Sequence, residues 1–240
     1  MTAPVDLVVS KRGEIVDLQG DTVRSVEVRA DRVTVKNGTV DGLSFPALAA
    51  PFYTLRATGP RFVTFDALTV RGARSKLALV RSTRLVSCHL ELDGSSTDGV
   101  FCSWDPLTLA ADVLIEFSTI ARTGPPADPS QHSDGVQLAG GSNVLLRSCS
   151  IDVRWTPTGW VGNACVFARP KLGSIDELAV VDCGLFGGGY AIEARPGPGD
   201  LGELAVGSVR VQGNSFEGQS FGRCNVPPLY RSNAFEMDNA

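Results

Sequence analysis

Two stretches, VLIEFSTIAR from Val113 to Arg122 and VLLRSCSIDV from Val144 to Val153, carry the same pattern and decide the fold. Five further stretches align with them. VTVKNGTVDG starts at Val33, VTFDALTVRG at Val63 and LVSCHLELDG at Leu85. LAVVDCGLFG starts at Leu178 and VRVQGNSFEG at Val209. The starts are 30, 22, 28, 31, 34 and 31 residues apart. In each ten-residue unit the first, third and eighth positions are apolar, with Ser87 the one exception. The tenth position is glycine at Gly42, Gly72, Gly94, Gly187 and Gly218. Positions one and three on one side mean a period of two, the mark of a strand. Position eight falls out of that phase, so a bend separates two strands in each unit. A recurrent glycine marks a corner that needs positive φ or close backbone approach.

Short strands returning every ~30 residues with no helical pattern between them exclude most repeat architectures. A propeller blade needs more residues, and a leucine-rich repeat has its own signature. The expected fold is all-β: a right-handed single-stranded parallel β-helix of about seven to eight rungs. The repeat covers residues 25–218, leaving 1–24 as N-terminal cap or attachment strands and 219–240 as a C-terminal cap or tail. The composition agrees with a turn-rich globular chain: 240 residues, 43% hydrophobic, 26 Gly and 14 Pro. A net charge of −4 argues against a nucleic-acid partner. No apolar run reaches the ~20 residues of a membrane helix. The N-terminal stretch lacks the basic and apolar regions of a signal peptide, so synthesis in a bacterial cytoplasm is expected. Arginine outnumbers lysine 18 to 4, a bias typical of GC-rich coding. The six cysteines include no CxxC pair, which excludes a zinc site of the usual kind. The sixth column ends Cys149, Cys183, Asn214; it reads as buried thiols and an Asn ladder, with an inter-rung disulfide as the alternative. His89 falls in the fifth column, at the bend, and reads as structural.

Chemistry in a solenoid sits on its faces and in its longer connections. The longest connections, at 94–111, 121–134, 153–163 and 168–176, hold all three tryptophans: Trp104, Trp155 and Trp160. Asp98-Gly99-Val100 and Asp134-Gly135-Val136 precede strands of successive rungs, and Asn163 holds a similar phase one rung on. Three chemistries share this pattern. Paired carboxylates on adjacent rungs, ~5 Å apart, have the spacing of a retaining glycosidase. Asp98, Asp134 and Asn163 are also oxygen ligands for Ca²⁺; no other cofactor is implied. An Asp before Gly is, finally, ordinary turn chemistry. His132 is a candidate general base beside Asp134, and Gln137 flanks it. Glu193, Arg169 and Arg195 come from later rungs; Ala-Arg-Pro recurs there as a strand end or as a clamp for anionic groups. The tryptophans stack on sugar rings, cover the flank, or form a subunit contact.

The rung pattern, with HSDGVQ from His132 to Gln137 followed by GGSNVLLRSCSI, resembles the pectin-lyase-like superfamily of parallel β-helices. That superfamily includes polysaccharide lyases, glycoside hydrolases, epimerases and phage tail proteins. An Asp-Gly-Val-Gln step preceded by His is common among them and is matched at His132, Asp134, Gly135 and Gln137. The carboxylate series of the polygalacturonases is not found here. The resemblance, with the small size and the tryptophan-bearing flank, implies a phage minor tail or tailspike-type virion protein contacting host cell-envelope glycans. Other virion subunits are the implied partners, with a homo-oligomer expected and a trimer favoured. A polysaccharide-degrading hydrolase or lyase using Asp134, His132 and Asp98 is the alternative, and a purely structural virion subunit the second alternative.

Overall fold

The structure, a computed structural model, describes residues 6–42, 55–57, 59–72, 77–79, 81–92, 98–103, 108–125, 133–199 and 202–226. Every described element is a strand, and no helix occurs among the described residues. The chain is a parallel β-solenoid. Its first face is a sheet of nine strands in the order Asp6–Val9, Ser25–Val28, Leu55–Ala57, Leu77–Leu79, Asp98–Cys102, Asp134–Leu138, Ala164–Ala168, Tyr190–Ala194 and Gly222–Asn225. Nine stacked strands differ slightly from the seven or eight rungs expected. The stack runs past residues 24 and 218: Asp6 pairs with Ser25 in register, and Tyr190 with Gly222.

A second sheet of 14 strands wraps the other two faces. Thr34–Asp41 and Val63–Gly72 run through both faces, whereas later rungs break there, as in Ala110–Glu116 and Thr119–Arg122. The bend is a ladder of left-handed residues. Gln19, Asn37, Ala67, Ser87, Phe117, Ser148 and Asp182 all have φ between 50° and 58°, and Gly213 has 65°. One residue per rung in this conformation flips the strand phase, which is why column eight falls out of step with columns one and three. Stacking holds the ladder: the N–H groups of Ser87, Phe117, Ser148 and Asp182 each reach a carbonyl of the next rung, as from Ser148 to Val181 at 3.0 Å.

The core is the set of repeat columns. Val63, Val113, Val144, Leu178 and Val209 line one, and Phe65, Leu85, Ile115, Leu146, Val180 and Val211 the next, all 0–2% exposed. Each rung buries its apolar side chains against the rungs on either side, and truncating one such leucine costs ~2–5 kcal/mol.

One unit of the sequence alignment needs correction. Val63 pairs with Thr83 and Phe65 with Leu85, so the third unit starts at Thr83, two residues before Leu85. The apparent exception Ser87 then becomes the left-handed bend residue, and Thr83, 0% exposed, takes the first core position. His89 moves from the bend to an outward strand position opposite Thr69 and Thr119, with Nε2 3.7 Å from Glu91. Gly94 leaves the tenth column, and Leu92 takes its place beside Gly72.

The sixth column is a ladder of buried side chains on free thiols, not a disulfide. The Cys88 N–H donates to Ser118 Oγ at 3.1 Å, Cys149 N–H to Cys183 Sγ at 3.4 Å, and Cys183 N–H to Asn214 Oδ1 at 2.8 Å. Each side chain satisfies a backbone group that the bend takes out of the sheet ladder. Burial pushes the thiols of Cys88, Cys102 and Cys165 up to about 12, so they stay protonated and inert at neutral pH.

Candidate functional site

The first face carries both the carboxylate pair and the surface beside it. Asp98 and Asp134 are register partners on adjacent rungs. The glycine after each explains the local fold. A Cβ on Gly135 would stand 2.4 Å from Ile151 Cγ2 and 2.6 Å from the Cys165 carbonyl oxygen. A Cβ on Gly99 would meet the Gly135 carbonyl at 2.7 Å. In these two rungs the corner has room for glycine alone, whereas the next two carry Cys165 and Ala191 at the same register.

Both aspartates are turned in from solvent, at 4% and 1% exposure. Asp98 Oδ1 accepts the Asp134 N–H at 3.2 Å. Asp134 Oδ1 accepts from Asn163 Nδ2 at 2.9 Å, and the Ala164 N–H donates to the same carboxyl. Ala164, not Asn163, takes the register position opposite Asp134; Asn163 sits one residue earlier and reaches across. Burial, then the neighbouring Asp98 charge, pushes the Asp134 carboxyl up to about 8, against the smaller effect of its hydrogen bonds. Such a group is mostly protonated at neutral pH.

Arg122, which the sequence pattern did not single out, occupies the same corner. It is 7% exposed, donates to Ser133 Oγ beside Asp134, and lies 4.6 Å from the Trp160 ring centroid. Trp160 belongs to a small antiparallel hairpin, Arg154–Trp155 with Trp160–Val161, that leaves the solenoid between its third and first faces. Trp155 and Trp160 are directly paired in it, and Gly159 at φ +70° closes its turn. Arg154 ties the hairpin base to Asp152 and to Glu217 two rungs on, at 2.8 and 2.7 Å. The hairpin thus stands along one edge of the first face.

The outward row of that face is the other feature sequence reasoning passed over in part. Phe101, Gln137, Phe167, Glu193 and Asn225 follow one another in register, one per rung. Gln137 and Glu193 were expected at the site; Phe101 and Phe167 were legible as the fourth residues of DGVFC and ACVFA, outward by alternation between buried neighbours. Glu193 accepts from Arg195 of its own strand end. Ala168 pairs with Ala194, so Arg169 and Arg195 recur as stacked strand ends on the far edge, both exposed. The first face is therefore bounded by the tryptophan hairpin on one edge and arginines on the other. His132 and Trp104 lie outside the described residues. Comparison of the chain with protein-family models, with curated proteins and with solved structures gives no match, so its fold and site are read from its own strand pairing and side chains.

Proposed function

We propose that this protein is a virion β-solenoid subunit, of the phage minor-tail kind, that holds an extended envelope polysaccharide along its first face. The observation that carries the reading is the in-register row Phe101, Gln137, Phe167, Glu193, Asn225. Its repeat is the rung spacing of ~4.8 Å, close to the length one hexopyranose adds to an extended chain. Aromatic faces take the C–H side of a sugar ring, while the amides of Gln137 and Asn225 take its hydroxyls; the Glu193 carboxyl between them is 6% exposed and held by Arg195. Trp155, Trp160, Arg169 and Arg195 on the edges widen that surface. The virion role rests on the resemblance of the rung pattern and on the arginine-rich composition.

The hydrolase or lyase reading has one observation in its favour. A carboxyl raised to about 8 is protonated at neutral pH, as a general acid must be. Against it stands the 1% exposure of Asp134, which keeps a polymer from the carboxyl.

The test is binding of purified bacterial capsule, O-chain and wall polysaccharides, with released oligosaccharides read by mass spectrometry. We expect binding without release, weakened roughly tenfold, about 1.4 kcal/mol, by Phe167→Ala or Gln137→Ala. Binding untouched by both substitutions, or none at all, overturns the first-face reading and leaves a structural subunit. Release that disappears in Asp134→Ala and His132→Ala makes the protein an enzyme.

A further inference from the structure

The bend between the second and third faces brings two thiols together. Arg147 pairs with Val181 and Ser150 with Gly184, so Cys149 and Cys183 stack on adjacent rungs. Backbone bonds fix the pair from both sides. Ser148 N–H donates to the Val181 carbonyl at 3.0 Å, and Gly184 N–H to the Cys149 carbonyl at 2.9 Å. The two Cα atoms then lie one rung apart, ~4.8 Å. A disulfide closes over Cα separations of roughly 4.4–6.8 Å. Cys183 Sγ already leans toward the earlier rung. It accepts the Cys149 N–H at 3.4 Å, and its own S–H bonds to Cys149 Sγ. Among the described residues no other two cysteines meet in this way. Cys88 lies between Leu68 and Ser118, Cys102 between Leu79 and Leu138, and Cys165 between Gly135 and Ala191. Cys224 stands beside Ile192.

We propose that Cys149 and Cys183 are an oxidisable pair that closes to an inter-rung disulfide when the folded chain meets hydrogen peroxide. Cys149 is the attacking thiol. The hydrogen bond from Cys183, joined by the Ser118 N–H, holds the Cys149 thiol below its ordinary value, against burial and the Glu116 charge. Burial moves the Cys102 thiol the other way. Cys149 and Cys183 are 3% and 2% exposed, but Asp182, directly before Cys183, is exposed. The pair thus lies one residue beneath the surface, and hydrogen peroxide is little larger than water. The Cys149 sulfur attacks a peroxide oxygen, the O–O bond breaks, and a sulfenic acid forms as hydroxide leaves. The proton lost from Cys149 turns that hydroxide into water. The Cys183 sulfur then attacks Cys149 Sγ and the S–O bond breaks. The Cys183 proton leaves with the departing hydroxyl as the second water. The two thiols lose two electrons and two protons, and one peroxide is reduced to two waters. Cys149 and Cys183 are 34 residues apart, one full coil. The link makes a covalent ring of the coil that carries the tryptophan hairpin and Phe167. It fastens that coil from the opposite side of the solenoid, and the proposal stands apart from the polysaccharide reading.

The test treats the full chain, fully reduced and folded, with a small excess of hydrogen peroxide. After denaturation and alkylation, peptide mass spectrometry should find Cys149 joined to Cys183, about 2 Da lighter than the reduced pair. Cys88, Cys102, Cys165 and Cys224 should be alkylated. Dithiothreitol should reverse the link. The linked chain should unfold roughly 5–10 °C above the reduced one. Cys149→Ser and Cys183→Ser should each abolish both the link and the shift. Ser118 shows that serine fits this column, and circular dichroism checks that both variants fold; if they do not, the wild-type peptide map alone decides. Six alkylated thiols after peroxide overturn the proposal. So does a sulfinic acid at Cys149 with no link, or a link that joins other cysteines or two chains. A link that leaves the unfolding temperature unchanged overturns the fastening of the coil.

Discussion

Asp134 is a carboxyl buried beside the carboxyl of Asp98, and its linkage to pH follows from that. Its folded pKa, about 8, lies above the unfolded aspartate value near 3.8. Between those values the folded chain holds a proton that the unfolded chain has lost, so stability falls as pH rises. The contribution is complete below about pH 4, is lost progressively from 4 to 8, and is flat above. At ~1.4 kcal/mol per unit the loss is on the order of several kcal/mol. Asp134→Asn keeps an acceptor for Asn163 and the Ala164 N–H but cannot ionise. Its unfolding free energy, measured by urea titration from pH 5 to 9, should exceed that of wild type by a margin that grows with pH. A constant difference between the two proteins would mean that Asp134 is solvated, and the buried-carboxyl account would fail.

At the scale of the element, the bend between the second and third faces matters most, because every rung repeats it. Asn214 is 4% exposed and bonds twice to the preceding rung: it accepts from the Cys183 N–H and donates to the Val180 carbonyl, each at 2.8 Å. Asn214→Ala strands both backbone groups in the interior, at a cost of about 2–4 kcal/mol. Asn214→Ser should recover part of it, since Ser118 fills the same column with Oγ accepting from Cys88 N–H. Thermal unfolding of the two variants checks the order; equal losses would deny the hydrogen-bond role. The same bend shows what the sequence could and could not tell. The strand–bend–strand unit was legible because its core columns repeat seven times. The left-handed ladder was not, because Phe117, Ala67 and Ser87 share no composition that asks for positive φ; stacking, not residue type, imposes it. The misplaced third unit has the same origin. Thr83 is polar at a core position, so matching apolar residues slides the strand by two to Leu85, a shift the period of two does not resist. At the site, the Asp98–Asp134 pairing was readable from two Asp-Gly-Val steps. Arg122 was not: its contact with Trp160 spans a connection whose path no local pattern encodes.

For the whole molecule, the relevant fact is that the strands of each rung pair only with those of the neighbouring rungs. Strand pairs link successive rungs along the entire stack, so stability is a sum of nearest-neighbour interfaces rather than the property of one closed core. The interior columns are sealed on both sides, with Phe65, Leu85, Ile115 and Leu146 at 0% exposure. The same columns are only partly buried toward the ends, at Leu7, Val16 and Val23 on one side and Phe216 and Cys224 on the other. Terminal rungs therefore have one interface to lose and interior rungs two. Native-state hydrogen exchange should show protection rising from the end strands Asp6–Val9 and Ile15–Asp17 toward Gly141–Arg147, in steps of a rung. Leu146→Ala should cost ~2–5 kcal/mol and lower protection on both sides of its rung. Val16→Ala should cost less than about 1.5 kcal/mol and lower it only at the N-terminal end. Uniform protection from end to end, or a global loss from Val16→Ala, would mean that the solenoid unfolds as one unit and that its end rungs are held by contacts beyond their stacking neighbours.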